Sequence, residues 1–522
     1  MRKETISYPD LGHVYPGDYY ASIPYEDYLV PQGISQGKDV FDLRSFGAVP
    51  GEGVVQTEAF MKASKHLSEN GGGTLLIQGG VYITGTFSLP DHTTLFIAPD
   101  AEIRASRNAD DLLLSSEEQL HKGESDPGAL MHIKNAAHVR ITGGGVISGS
   151  GEWYVHEPKE KPLLTPHAVT MLPSREEKEQ INVVPGSVRT LYRERIRYVN
   201  DRYGEGKPEL RRPSCMVWFD HCSNIEVDHI ILRDSMCWTL NLDTCDYAFV
   251  HDMVIDDNRH VANTDGIDIT GSSRVTVHHC FISCADDGVV LKNPAHTQRV
   301  MQDIHVSDCT IMTVMNGLKI GTETVHPIRH VVMENCLLTL PDIYPGSVSG
   351  ISIESCDGSD VYDISVRNIQ MNNVLCPFYL CLNMRNRTGD PYTDEPGVNR
   401  YWGGSIEKVH IENIIAKDVE LPCIVTGFAA QNKHGTVIRR APKDISVSFF
   451  RMTYRDNQEI LRVPPEIPEF LTDYPESNAH GDVPACGLWA RHIDGFALHD
   501  FIVAPRSCNK RPNLSFIDCH IE

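Results

Sequence analysis

The feature that most constrains this chain is a short pattern that keeps returning in its second half. It reads Asn224-Ile-Glu-Val-Asp-His-Ile-Ile-Leu232, Arg274-Val-Thr-Val-His-His-Cys-Phe-Ile282 and Asp303-Ile-His-Val-Ser-Asp-Cys-Thr-Ile311. Further copies run from Tyr247 to Ile255, His330 to Leu338, Asp363 to Met371, Lys408 to Ile415 and Asp444 to Met452. The intervals of roughly 23 to 45 residues are those of a solenoid with loops of variable length. Each copy is an alternating β-branched strand, a polar corner and a second short apolar strand, with little room for a helix before the next. The pattern predicts an all-β chain, a single-stranded right-handed parallel β-helix in which successive copies stack strand on strand about 4.8 Å apart.

That register assigns the odd residues. The seventh position of the copies reads Ile230, Met253, Cys280, Cys309, Cys336, Ile369, Ile414 and Phe450. Cysteine therefore takes turns with ordinary core residues in one inward column and acts as a small hydrophobe. Metal binding or disulfides are the alternative, but no Cys-x-x-Cys or histidine cluster accompanies these residues. The position before it holds Asp252, Asp308, Asn335, Asn368 and Asn413, residue types that tolerate left-handed backbone at a corner.

Upstream, Thr57 to Leu67 reads as a helix, with Ala59, Phe60, Ala63 and Leu67 on one side, placed to cap the open end of the solenoid. Residues 1–40, rich in Tyr, Pro and Gly, read as an irregular arm, and residues 41–522 as the β-helix. From about 152 to 213 a charged, Pro-containing stretch interrupts the repeat, either as a solvated excursion or as a wall over a cleft.

The 522 residues carry a formal net charge of −23 and no apolar run long enough to span a membrane, which argues against nucleic-acid and membrane partners. The first residues have two positive charges but no apolar stretch behind them, from which a cytoplasmic location and reduced thiols are expected for the 15 cysteines. No phosphate loop, metal spacing or dinucleotide fingerprint indicates a cofactor. The arm could cap a neighbour as easily as its own helix, which leaves a homo-oligomer open.

Aligning the second strands of successive coils brings three carboxylates together. Thr264-Asp265-Gly266-Ile267-Asp268-Ile269, Asp286-Asp287-Gly288-Val289-Val290-Leu291, Met315-Asn316-Gly317-Leu318-Lys319-Ile320 and Ser349-Gly350-Ile351-Ser352-Ile353 share a glycine followed by inward apolar residues. Asp265 then stands beside Asp287, with Asp286 one residue back on the corner. Like charges so close resist simultaneous ionisation, so one should hold a proton near neutral pH. A protonated and an ionised carboxyl are what glycoside hydrolysis requires. A calcium site or an Asx corner is the alternative.

Asn263-Thr264-Asp265 followed one coil later by Asp286-Asp287 resembles the Asn-Thr-Asp and Asp-Asp motifs of glycoside hydrolase family 28, the polygalacturonases and rhamnogalacturonan hydrolases. The similarity runs from Ser45-Phe-Gly-Ala to the last coils. The resemblance implies inverting hydrolysis, with Asp286 as general acid and Asp265 and Asp287 activating water. Inversion in turn predicts carboxyl separations of about 6.5–9.5 Å between acid and base.

The departures from the family pattern are equally informative. The family's Gly-His-Gly is Met315-Asn316-Gly317 here, and its Arg-Ile-Lys is Ser352-Ile353-Glu354, so the residues thought to hold a galacturonate carboxylate are missing. Asn263, Asn316, Lys292, Lys319 and Arg385 are the substrate-binding candidates, with Arg387 further along; for each charged one a solvated role is the alternative. These departures suggest an oligosaccharide with another sugar on one side of the scissile bond, such as a rhamnogalacturonan fragment, attacked from one end. A cation-dependent β-helix lyase and a non-catalytic carbohydrate-binding solenoid are the competing readings.

Overall fold

The computed structural model describes residues 39–51, 53–114, 126–155, 210–340, 346–385, 404–431, 436–454, 467, 469, 471, 474–480, 483–504 and 511–522. The expected irregular arm and most of the 152–213 excursion, together with Arg387, lie outside them.

The central coils contribute three strands each, the first two running together as one long strand from Asp360 onward, and strands from successive coils pair in parallel to form the three faces of a right-handed parallel β-helix. One turn comprises Ser223–Asp228, Ile231–Arg233 and Trp238–Asp243. The next comprises Asp246–His251, Val254–Asp256 and Ile267–Thr270. Alternation decides which residues face inward. On the first face, Ile225, Ala248, Val275, Ile304, Val331, Ile364, Val409, Ile445 and Phe496 stand in one unbroken column, and all are buried. Fully burying each larger aliphatic side chain stabilises the fold by up to about 1.5–3 kcal/mol, an upper bound because unfolded chains already bury some surface.

The corner between the first two faces confirms the reading of the repeat. Asp252, Asp308, Asn335, Asn368 and Asn413 all adopt left-handed backbone, with φ of 48°, 54°, 57°, 57° and 54°. The amides also form a ladder: Asn368 Nδ2 donates to Asn335 Oδ1 at 3.0 Å, and Asn413 Nδ2 to Asn368 Oδ1 at 2.8 Å. Just inside this corner Cys280, Cys309 and Cys336 are buried in the main core with Ile230, Met253, Ile369, Ile414 and Phe450.

The capping helix spans Thr57–Glu69 and buries Ala59, Phe60, Ala63 and Leu67, as its spacing predicts. Phe60 meets Phe87 with ring centroids 4.6 Å apart, joining the cap to the first coils. Among the described residues no helix is long and apolar enough to cross a membrane.

Candidate active site

The three aspartates sit at the start of strands on the third face. Ile267, Val289, Leu318 and Ile351 are directly paired, so the residues two positions earlier, Asp265, Asp287, Asn316 and Ser349, follow one another coil by coil. The glycine after each explains why this register is so tight. A Cβ on Gly266 would lie 2.5 Å from the carbonyl oxygen of Gly288, and one on Gly288 would lie 2.6 Å from that of Gly317. Only glycine lets the chain turn that closely over its neighbour.

The carboxylates converge as the register predicts. Oxygens of Asp265, Asp286 and Asp287 lie within 4.8 Å of one another, and Asp286 is the most exposed of the three. This is a distance between closest oxygens, a different quantity from the carboxyl-to-carboxyl separation in which the inverting gap is expressed. The shared strand register sets Asp265 and Asp287 on adjacent coils, and Asp286 stands one residue before Asp287.

Two buried lysines divide the aspartates into unlike environments. Lys292 Nζ donates to Asp265 Oδ2 at 2.9 Å and to Asp268 Oδ1 at 2.6 Å, and stands 3.8 Å from the centroid of the Trp238 ring. Lys319 Nζ lies 3.0 Å from Asp287 Oδ2 and 3.5 Å from Glu476 Oε1. Asn316 completes the shell of Asp287, donating from Nδ2 to Oδ1 at 2.8 Å. Asp286 accepts a hydrogen bond from the backbone of Asp287 at 3.0 Å, and among the described residues no ammonium or guanidinium lies within ion-pair distance of it.

The proton affinities follow from this division. Burial, with Asp265 and Asp287 close by, pushes the Asp286 carboxyl well above its ordinary range. Burial also raises Asp265, but Lys292 opposes it, and the group settles at about 6. Burial works against both ammonium groups, yet the carboxylates around them hold Lys292 and Lys319 well above the usual lysine range. The site therefore pairs a carboxyl that holds its proton tightly, Asp286, with one that Lys292 keeps lower, Asp265, the division of roles that acid–base catalysis needs.

Of the binding candidates, Lys292, Lys319 and Asn316 touch the aspartates. Asn263 adopts φ of 60° and its Oδ1 accepts from Arg212 Nη2 at 2.8 Å, at the rim. Arg385 lies further along the sheet, bonded to Asp357 and donating to the carbonyl of Thr322 at 2.9 Å. Its guanidinium stands 5.5 Å from the Tyr474 ring.

Sequence reasoning missed the groups around the lysines. Asp268 faces outward between inward Ile267 and Ile269, so alternation alone could have found it. Glu476 had no such signal: it arrives from a distant segment, lies buried against Lys319 and Asn316, and is lifted by burial to about 7. Next to it Ser477 Oγ bonds Ser349 Oγ at 2.9 Å and Val348 O at 3.0 Å. Tyr474 and residues 476–480 thus form a wall across the sheet beginning one coil beyond Asp287.

Residues 199–377, which carry all three aspartates, match the model of glycosyl hydrolases family 28. The chain is similar to a probable polygalacturonase of Vitis vinifera, 22% identical over 414 residues covering 76% of this chain and 72% of that protein. It is also 23% identical over 251 residues to a polygalacturonase of Persea americana, covering 48% of this chain and 42% of that one. Among solved structures, the hyperthermoactive exopolygalacturonase of Thermotoga maritima superposes with a TM-score of 0.59 at 19% identity, covering 82% of this chain and 90% of that one. The Yersinia enterocolitica family 28 exopolygalacturonase gives 0.63 at 15% identity, covering 94% and 79%. Fold and family match together make this chain a glycosidase. More particularly, it is a polygalacturonase-like glycosidase related to family 28, as the Asn-Thr-Asp and Asp-Asp motifs indicate.

Proposed function

We propose that the chain is an exo-acting, inverting glycoside hydrolase of pectin-derived oligosaccharides, galacturonide or rhamnogalacturonan fragments. The observation that carries the roles is the placement of the two lysines. Each pairs with one of Asp265 and Asp287, and among the described residues Asp286 has no cation within ion-pair distance. Asp286 gives its proton to the leaving glycosidic oxygen as the bond to the anomeric carbon breaks. Water attacks that carbon from the opposite side, and Asp265 with Asp287 takes the proton it sheds.

Inversion rests on the family resemblance. The exo reading rests on the wall: Glu476 and Ser477 cover the sheet within two coils of the aspartates, so a glycan lying along the solenoid ends there. Short fragments suit such a site.

The test is incubation of the protein with pectin-derived oligosaccharides in the presence of chelator, followed by mass and NMR analysis of the new reducing end. Release of one terminal sugar per cleavage, first seen in the inverted configuration, is expected. Internal cleavage would refute exo action, and retained configuration would refute the water-activating roles. Activity abolished by chelator, with an unsaturated product, would favour the lyase, since the three aspartates are close enough to share a cation.

A further inference from the structure

We propose that this site reads charge asymmetrically, taking an uncharged sugar against the wall and a uronate on the opposite side, beside Arg212. The inference rests on the reading of the aspartates as the place of cleavage, and deepens it by naming the charge of each neighbouring sugar.

On the wall side the cations of the described residues already face carboxylates. Lys319 is the cation nearest to it, and that ammonium already serves Asp287 and Glu476. Arg385, the next one along, is bonded through two nitrogens to Asp357. Where a uronate on this side would need a cation, the column of outward residues instead holds Ser352, whose Oγ donates at 2.6 Å to Glu354 Oε1. Glu354 is fully buried, and its second oxygen has no partner. Arg385 Nη1 has no hydrogen-bond partner, but its guanidinium is already paired with Asp357, so a carboxylate brought here would meet acceptors, carboxyl groups and cations that each already face a carboxylate. Sugar hydroxyls, which donate as well as accept, meet the same lining without that penalty.

The opposite side differs. Arg212 is half-buried and donates to Ala262 O and Asn263 Oδ1, both at 2.8 Å, which fixes its guanidinium two residues from Asp265. Among the described residues it stands at this site without a carboxylate at ion-pair distance, and it is held in place by neutral acceptors. A planar guanidinium so held is suited to a carboxylate of the substrate.

The experiment is ligand-observed NMR titration of the full chain, in buffer at pH 7, with methyl galacturonide and with a panel of neutral methyl glycosides of hexoses, deoxyhexoses and pentoses. At least one neutral glycoside is expected to bind together with galacturonide, neither displacing the other. In Arg212→Gln, galacturonide affinity should fall at least tenfold while that of the neutral glycoside stays within twofold. Galacturonide affinity unchanged in this variant, mutual displacement of the two ligands, or no binding by any neutral glycoside would each overturn the proposal. Glu354→Gln supplies an independent check: galacturonide that gains affinity there competes for the wall side, again against the proposal. Because these readouts are binding, a protein that binds as expected yet hydrolyses nothing would refute the enzymatic reading and leave the charge asymmetry standing.

Discussion

Replacing Lys292 by methionine keeps most of the side chain's volume over Trp238 and removes the charge that Asp265 and Asp268 share. Both carboxylates are buried, and breaking a buried pair from one side costs about 3–5 kcal/mol unless the stranded group takes a proton. At about 3 Å and an effective dielectric near 20, one ammonium–carboxylate attraction is worth roughly 5 kcal/mol, and each pH unit of proton affinity corresponds to about 1.4 kcal/mol. Relaxation and protonation of Asp268 will absorb part of this, so a rise of about two pH units for Asp265 is a conservative expectation.

In the proposed mechanism Asp265 acts as a carboxylate, so raising its proton affinity moves the acid limb of the pH–rate profile upward. With the wild-type group near 6, its ionised fraction at pH 6 falls from about one half to about one hundredth, a loss of roughly 50-fold in rate. The assay is the profile of kcat/KM from pH 4 to 9, with folding checked by circular dichroism. Asp268→Asn makes the opposite perturbation: it leaves Lys292 wholly to Asp265, and the acid limb should move down. An acid limb that stays put in both variants, or that moves the same way in both, would refute the idea that Lys292 sets the ionisation of Asp265.

Three other outcomes follow from the same structure. Asp286 binds its proton more tightly folded than unfolded, so it makes stability fall as pH rises from about 4 toward neutral; Asp286→Asn should remove that dependence. The variant is expected to melt higher at pH 7, by the equivalent of about 1 kcal/mol, while losing at least 100-fold in turnover; equal pH dependence of Tm in the two proteins would contradict it. At the corner, Asn368→Ala should cost about 1–2 kcal/mol in denaturant unfolding and Asn368→Gly less, since φ of 57° suits glycine; equal losses would mean that the amide ladder, not the backbone, dominates. Gly288→Ala would drive a methyl into Ile311 and the Gly317 carbonyl, and should shift Asp287 enough to cut kcat/KM more than tenfold; unchanged kinetics would show that the coils can separate freely.

The fold was legible in the sequence because a solenoid writes itself repeatedly. Most coils repeat an inward Val or Ile, a left-handed Asn or Asp and a core residue after it, so one copy corrects the misreading of another. The corner was still only partly visible: His229, His279 and Phe449 adopt the same left-handed backbone, with φ of 45°, 50° and 52°, and no residue preference announces them. The triad of aspartates was legible for the same reason as the core, since register along the third face is enough to bring Asp265 beside Asp287. What register cannot supply is a partner that comes from outside the repeat. Glu476 lies 160 residues from Asn316 in the chain and 157 from Lys319, and nothing in its neighbourhood marks it for the site. Yet that residue changes what Lys319 means. Read from the strand alone, Lys319 is a cation projecting into a groove and available to an acidic sugar; with Glu476 and Asp287 on either side it is already neutralised. The sign of the charge that this end of the site can accept is thus decided by tertiary contact.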